Sequence, residues 1–115
     1  MEALKPLSEV EGVMGWALVG EDGFVLEAAS QPEVELGEVL GGLGASVLAT
    51  ARAVAEELGK GPLEEVMVEY PEGPVLLVPT GKGPVLLVLL DQVASLGRAR
   101  LALKKILPEL VKELP

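Results

Sequence analysis

Few side chains in this sequence could do chemistry. It has no His and no Cys, which removes the commonest general base, the commonest metal ligand and the best nucleophile. Ser46 lies in Gly44-Ala45-Ser46-Val47-Leu48, without the second Gly of a nucleophile elbow. Gly81-Lys82-Gly83 lacks the upstream Gly and the following Ser or Thr of a phosphate loop. Gly41-Gly42-Leu43-Gly44 misses the dinucleotide fingerprint and sits inside a helical pattern. Asp22 and Asp91 fall at strand ends. The first reads as a turn residue and the second as a helix cap, with a catalytic role as the alternative for each. Glu64-Glu65 reads as a solvated pair before a strand. The chain is therefore expected to be no enzyme, with no active site, cofactor or metal.

The chain is instead organised around the stretch from Glu33 to Leu58. Leu36, Leu40, Leu43, Val47, Ala51, Val54 and Leu58 recur at spacings of four and three, an apolar stripe of an α-helix expected to face the core. A second face carries Gly37, Gly41, Gly44, Ala45, Leu48 and Ala55, and no charge occurs from Val39 to Ala51. Each Gly costs a helix roughly 1 kcal/mol against Ala, which close approach of another backbone would offset. One face is thus expected on the chain's own sheet and the small-residue face on a second molecule. The alternative is a helix fully buried within one domain.

With 115 residues, half of them hydrophobic and only Trp16, Phe24 and Tyr70 aromatic, the chain is expected to form one domain with an aliphatic core. The net charge of −9 argues against nucleic acid as a partner. Residues 1–72 carry 15 acidic and 3 basic residues, and residues 73–115 carry 3 and 6. The longest strongly apolar run, Val85 to Leu90, is far short of a membrane span, and the first ten residues show no signal peptide. A cytoplasmic protein without membrane insertion is the expectation. The absence of Asn and Cys, with nine Pro, is compatible with a thermophile.

Along the chain, residues Glu2 to Val10 read as a short helix limited by Pro6. Val13 to Gly20 and Phe24 to Ala29 read as strands joined through Asp22-Gly23. Ser30 is a possible cap for the long helix, and Gly59 stops it. Leu63 to Tyr70 alternates, with Val66, Val68 and Tyr70 on one side, as a half-exposed strand does. Val75 to Val78 and Val85 to Leu90 are apolar throughout, as central strands are. Connections this short make the last three strands antiparallel neighbours. A final helix begins near Asp91 or Val93. Its core stripe is Leu96, Ala99, Leu103, Leu107, Leu110 and Leu114, and Pro108 should kink it or split off its last turn. The fold class is α+β in the order α-β-β-α-β-β-β-α. A five-stranded antiparallel sheet carries the long middle helix on one face and the two terminal helices on the other.

Several local patterns resemble the roadblock/dynein light chain family across nearly the whole chain. They are Glu11-Gly12-Val13-Met14-Gly15 followed by Glu21-Asp22-Gly23, the junction Leu58-Gly59-Lys60-Gly61-Pro62-Leu63-Glu64-Glu65-Val66, the segment from Gly73 to Gly83, and Leu96-Gly97-Arg98-Ala99-Arg100. Ser95 departs from the pattern, where Asn is expected. The resemblance implies homo- or heterodimers with the long helices side by side and the third strands paired into one sheet. It implies association with small Ras-like GTPases, as in bacterial gliding-motility regulators, either GTPase-activating or scaffolding.

Two interaction surfaces follow. The dimer interface is expected at Gly37, Gly41, Gly44, Ala45, Leu48, Val66, Val68 and Tyr70. A partner, foremost a small Ras-like GTPase, is expected at Glu38, Gly42, Ser46, Ala49, Arg52, Ala53 and Glu56, with Ala45 beside them. Arg52 reads as an interface charge, with an arginine finger as the alternative. The rival functions are a dimeric adaptor for a non-GTPase assembly and a small sensor domain holding an apolar ligand between sheet and helix. Few aromatic residues and no polar anchors in the core count against the sensor.

Overall fold

The computed structural model describes residues 1–30 and 38–115, and of residues 30, 38–41 and 43 the backbone alone. An N-terminal 3₁₀ helix, Glu2–Glu9, leads into β1 (Val13–Val19) and β2 (Val25–Ser30). Helix α1 (Glu38–Leu58) follows, then β3 (Val66–Val68), β4 (Val75–Pro79) and β5 (Val85–Leu90). A 3₁₀ turn, Val93–Ser95, opens α2 (Leu96–Glu113). The strands form one antiparallel sheet in the order β2-β1-β5-β4-β3. The expected start of the long helix at Glu33 lies outside the described residues, and Ser30, expected as its cap, ends β2 opposite Gly15, with its backbone alone described.

Both faces of the sheet are covered. On one, Leu4 and Leu7 of the 3₁₀ helix and Leu96, Ala99, Leu103, Ile106 and Leu110 of α2 pack on Trp16, Leu18, Leu76, Leu86 and Val88. Trp16 Nε1 donates to Ser8 Oγ at 2.9 Å, so the one Trp is buried with its polar end satisfied. On the other face, Leu48 of α1 packs on Ala17, Val19, Leu77, Val85 and Leu87. The uninterrupted apolar runs of β4 and β5 serve both layers at once.

The tight turns are set by specific residues. Asp22 is a turn residue: its Oδ1 accepts the Phe24 N–H at 3.0 Å, and Gly23 takes φ of +87°. At Gly73, φ is +116° and a Cβ would lie 2.1 Å from the Leu90 carbonyl oxygen, which only glycine tolerates.

Four expectations about the elements are corrected. The N-terminal helix is 3₁₀ rather than α, a form used in short pieces, with Pro6 inside it. Asp91 is no backbone cap; its Oδ1 accepts the Ser95 hydroxyl at 2.6 Å and braces the β5–α2 junction. Of the two expected effects of Pro108, the split-off last turn is corrected: helix α2 runs through Pro108 to Glu113. Lys104, whose carbonyl loses its donor to Pro108, is exposed, so water can satisfy that carbonyl. Strand β3 is three residues long instead of running from Leu63 to Tyr70.

Candidate protein-interaction site

The length of β3 follows from one residue of its neighbour. Thr80 N–H donates to the Pro84 carbonyl at 3.2 Å, and Leu90 N–H to the Pro74 carbonyl at 3.0 Å. Even-numbered residues of β4 therefore turn their backbone groups toward β5, and odd-numbered ones toward β3. Val66 pairs with Leu77 and Val68 with Val75. The next odd position is Pro79, which has no N–H to offer, so the ladder stops at Val66. By the same alternation the backbone groups of Glu65, Met67 and Glu69 point away from β4, out of the sheet.

The opposite edge is built differently. Leu18 pairs with Glu27 but Val19 with Val25, so Leu26 is an extra residue in β2. Such a bulge twists an edge and blunts further strand pairing. The β3 edge has no bulge and no proline between Glu65 and Glu69, and among the described residues no further strand pairs with it.

Helix α1 lies over β4 and β5 by its small residues. An added Cβ on Gly44 would meet Leu77 and Leu87 side chains at 3.4 and 3.7 Å, and Leu48 is 1% exposed. This corrects two expected dimer residues: Gly44 and Leu48 face the chain's own sheet. It also corrects the expected core stripe, since Val47, Val54 and Leu58 are 40%, 52% and 62% exposed. The physical reason is that close approach to a flat aliphatic sheet favours small side chains. The branched residues are displaced to a flank of the helix.

The other expected residues divide by position. Gly37 lies outside the described residues, and of Glu38 and Gly41 only the backbone is described. Val66 and Val68 are half-buried against the α1-side core, and Tyr70 is exposed. Ala45 and Gly42 are half-buried; Ser46, Ala49, Arg52, Ala53 and Glu56 are exposed. Ala45, Ala49, Arg52 and Glu56 are spaced four, three and four apart, so they share one side of α1.

Arg52 and Glu56, at the C-terminal end of that side, line a groove of about 820 Å³ at the point where β3 stops. Arg52, Ala55 and Glu56 form its α1 wall, and Leu103, Lys104 and Leu107 its α2 wall. Val78, Pro79 and Leu63 contribute apolar surface. Arg100 bonds Glu65 at 2.6 Å across the α2 side, and this bond holds the guanidinium above its ordinary pKa. Thr80 Oγ1 donates to the Pro84 carbonyl at 2.7 Å. The polar rim is thus partly engaged with itself. The rim carries three basic and three acidic side chains, so it selects no ligand by net charge. Sequence reasoning missed this groove, although Pro79 opposite an alternating strand was the available sign.

Among the described residues no three His, Cys, Asp or Glu side chains converge as a metal site, and no helix is long and apolar enough to cross a membrane. What the surface offers is an open strand edge, a groove beside it and an apolar helix flank. The Roadblock/LC7 domain profile matches residues 1–90. Two uncharacterised proteins of Methanocaldococcus jannaschii are each 34% identical over 102 residues, 89% of this chain and 88% of theirs. Myxococcus xanthus MglB superposes with a TM-score of 0.86 at 25% identity, covering 96% of this chain and 90% of that one. The gliding protein MglB of Thermus thermophilus gives 0.83 at 22% identity, covering 96% and 84%.

Proposed function

Because the chain belongs to the Roadblock/LC7 domain family, we propose that it acts as a non-catalytic homodimer that regulates or scaffolds a small Ras-like GTPase. The observation that carries the dimer is the outer edge of β3, unprotected where the β2 edge is bulged. An edge of this kind either pairs or becomes an aggregation site. Pairing β3 with a second β3 brings the Ala45, Ala49, Arg52 and Glu56 side of α1 toward the other copy. Small residues there let two helices approach closely.

The GTPase is supported by the family resemblance and by the likeness to MglB. Its surface is the top and far flank of α1, where Ser46, Ala53, Val47 and Val54 are exposed. The domain then works by binding one state of the GTPase better than another, which shifts its conformational population. One affinity experiment in native extract tests this reading. Tagged protein is expected to retain a small GTPase and to hydrolyse no GTP alone. Retention of a different assembly with no GTPase favours the adaptor instead. GTP turnover by the purified chain, lost in a single-residue variant, overturns the non-catalytic assignment.

A further inference from the structure

We propose that Tyr70 of the second copy docks at the α1 side of the groove, in a dimer whose β3 strands pair with Val68 opposite Val68. This deepens the homodimer reading above and rests on it. Tyr70 is 56% exposed in the single chain. It lies two residues beyond Val68, on the side of the strand that carries Val66 and Val68 toward α1.

The register follows from backbone parity and charge. Outward backbone groups sit on Glu65, Met67 and Glu69, so a two-fold antiparallel pair must match odd residues with odd ones. Three registers use the Met67 amide: those centred on Val66, on Met67 and on Val68. Centring on Met67 sets Glu65 directly opposite Glu69 twice, and like charges directly opposite are destabilising. Centring on Val66 sets Glu64 opposite Val68 on the α1 side, where a carboxylate meets the apolar core. Centring on Val68 sets Val66 opposite Tyr70 and Met67 opposite Glu69, with apolar side chains facing one another along the whole α1 side.

In that register the second copy's Tyr70 lies beside Val66. The groove begins next to it, between Leu63 and the Arg52–Glu56 wall. The ring would cover Leu63 and Ala55 with the Arg52 guanidinium in cation–π reach. Pro79 is what leaves this room, by ending the β3–β4 ladder before Glu64. It also withholds the N–H that an inserted strand would need, so the groove fits a side chain rather than another strand.

The chain has no cysteine, so single substitutions report the register cleanly. Val66→Cys, Met67→Cys and Val68→Cys are oxidised separately at micromolar concentration and resolved without reductant. A disulfide needs Cα atoms within about 4.4–6.8 Å, so Val68→Cys is expected to form the linked dimer and the other two to lag well behind. Faster linkage of Val66→Cys or Met67→Cys overturns the register. In sedimentation, Tyr70→Ala and the groove-filling Ala55→Trp are expected to weaken the dimer at least about tenfold. Tyr70→Phe should stay within about twofold. Circular dichroism confirms that each variant is folded. An unchanged dimer in Tyr70→Ala rejects the docking. A monomeric wild type rejects the homodimer itself, whereas a dimer linked at another position rejects only this arrangement.

Discussion

On one face of the sheet, α2 and the N-terminal 3₁₀ helix bury a continuous cluster from Leu4 to Leu114. The Ala3 N–H, donating to the Glu113 carboxylate at 2.9 Å, ties the start of the first helix to the end of the last. On the other face α1 is the one helix over the sheet among the described residues, and of its described side chains only Leu48 is fully buried. Its flank leaves Val47, Val54 and Leu58 in solvent. The first layer is completed within the chain. The second has apolar surface to spare, on the flank of α1 opposite the Arg52 and Glu56 side that faces the groove. A domain built this way buries its apolar side chains fully in one layer and leaves apolar side chains exposed on the other.

The sharpest way to break this comparison is to truncate one residue from each layer. Leu110 is fully buried in the closed layer, and Leu58 is largely exposed on the open one. Leu110→Ala should cost about 2–5 kcal/mol of folding stability, the range for a buried Leu that leaves a cavity. Leu58→Ala should change it by no more than about 0.5 kcal/mol. Denaturant unfolding compares them directly. Equal losses would mean that α1 is as integral to the core as α2.

A second change addresses the open layer alone. Ala45 is half-buried on the side of α1 that also carries Ala49 and Arg52. Ala45→Arg should weaken the dimer by at least about a hundredfold, about 2.7 kcal/mol, because an unpaired charge must then be desolvated between packed helices. Sedimentation equilibrium reads this, with circular dichroism to confirm the fold. A dimer of unaltered affinity would remove this side of α1 from the interface.

The closed layer was legible in the sequence because its pattern admits one solution. Leu96, Ala99, Leu103 and Leu110 recur on a helix whose remaining sides carry charge, so only one side can be buried. Helix α1 gives no such contrast, since uncharged residues surround it from Val39 to Ala51. Periodicity selected the large aliphatics as the core stripe. The structure places Gly44 and Leu48 there, because the distance between helix and sheet is set by what Leu77 and Leu87 leave free. The end of β3 was hidden for another reason. It depends on Pro79, thirteen positions beyond Val66 and harmless to its own strand. Only the hydrogen-bond phase of β4 shows that the missing N–H is aimed at β3.

The finest distinction concerns Arg52, the one base of α1, which stands on the groove wall. If the dimer acts by positioning the GTPase, Arg52 contributes charge and contact area but does not touch the transferring phosphate. Arg52→Ala then removes at most about tenfold from saturated turnover, about 1.4 kcal/mol of barrier. An arginine finger supplied in trans contributes on the order of 10³–10⁵, so the two roles differ by at least about two orders of magnitude. The position on the groove wall favours positioning, because Ala55 and Leu63 line the same groove and offer apolar surface for the Arg52 stem. Single-turnover GTP hydrolysis at saturating dimer measures the difference without interference from weakened binding. A drop of about a thousandfold or more, with the complex still formed, would assign Arg52 to the chemistry. A drop within about tenfold would leave the open layer as a binding surface and nothing more.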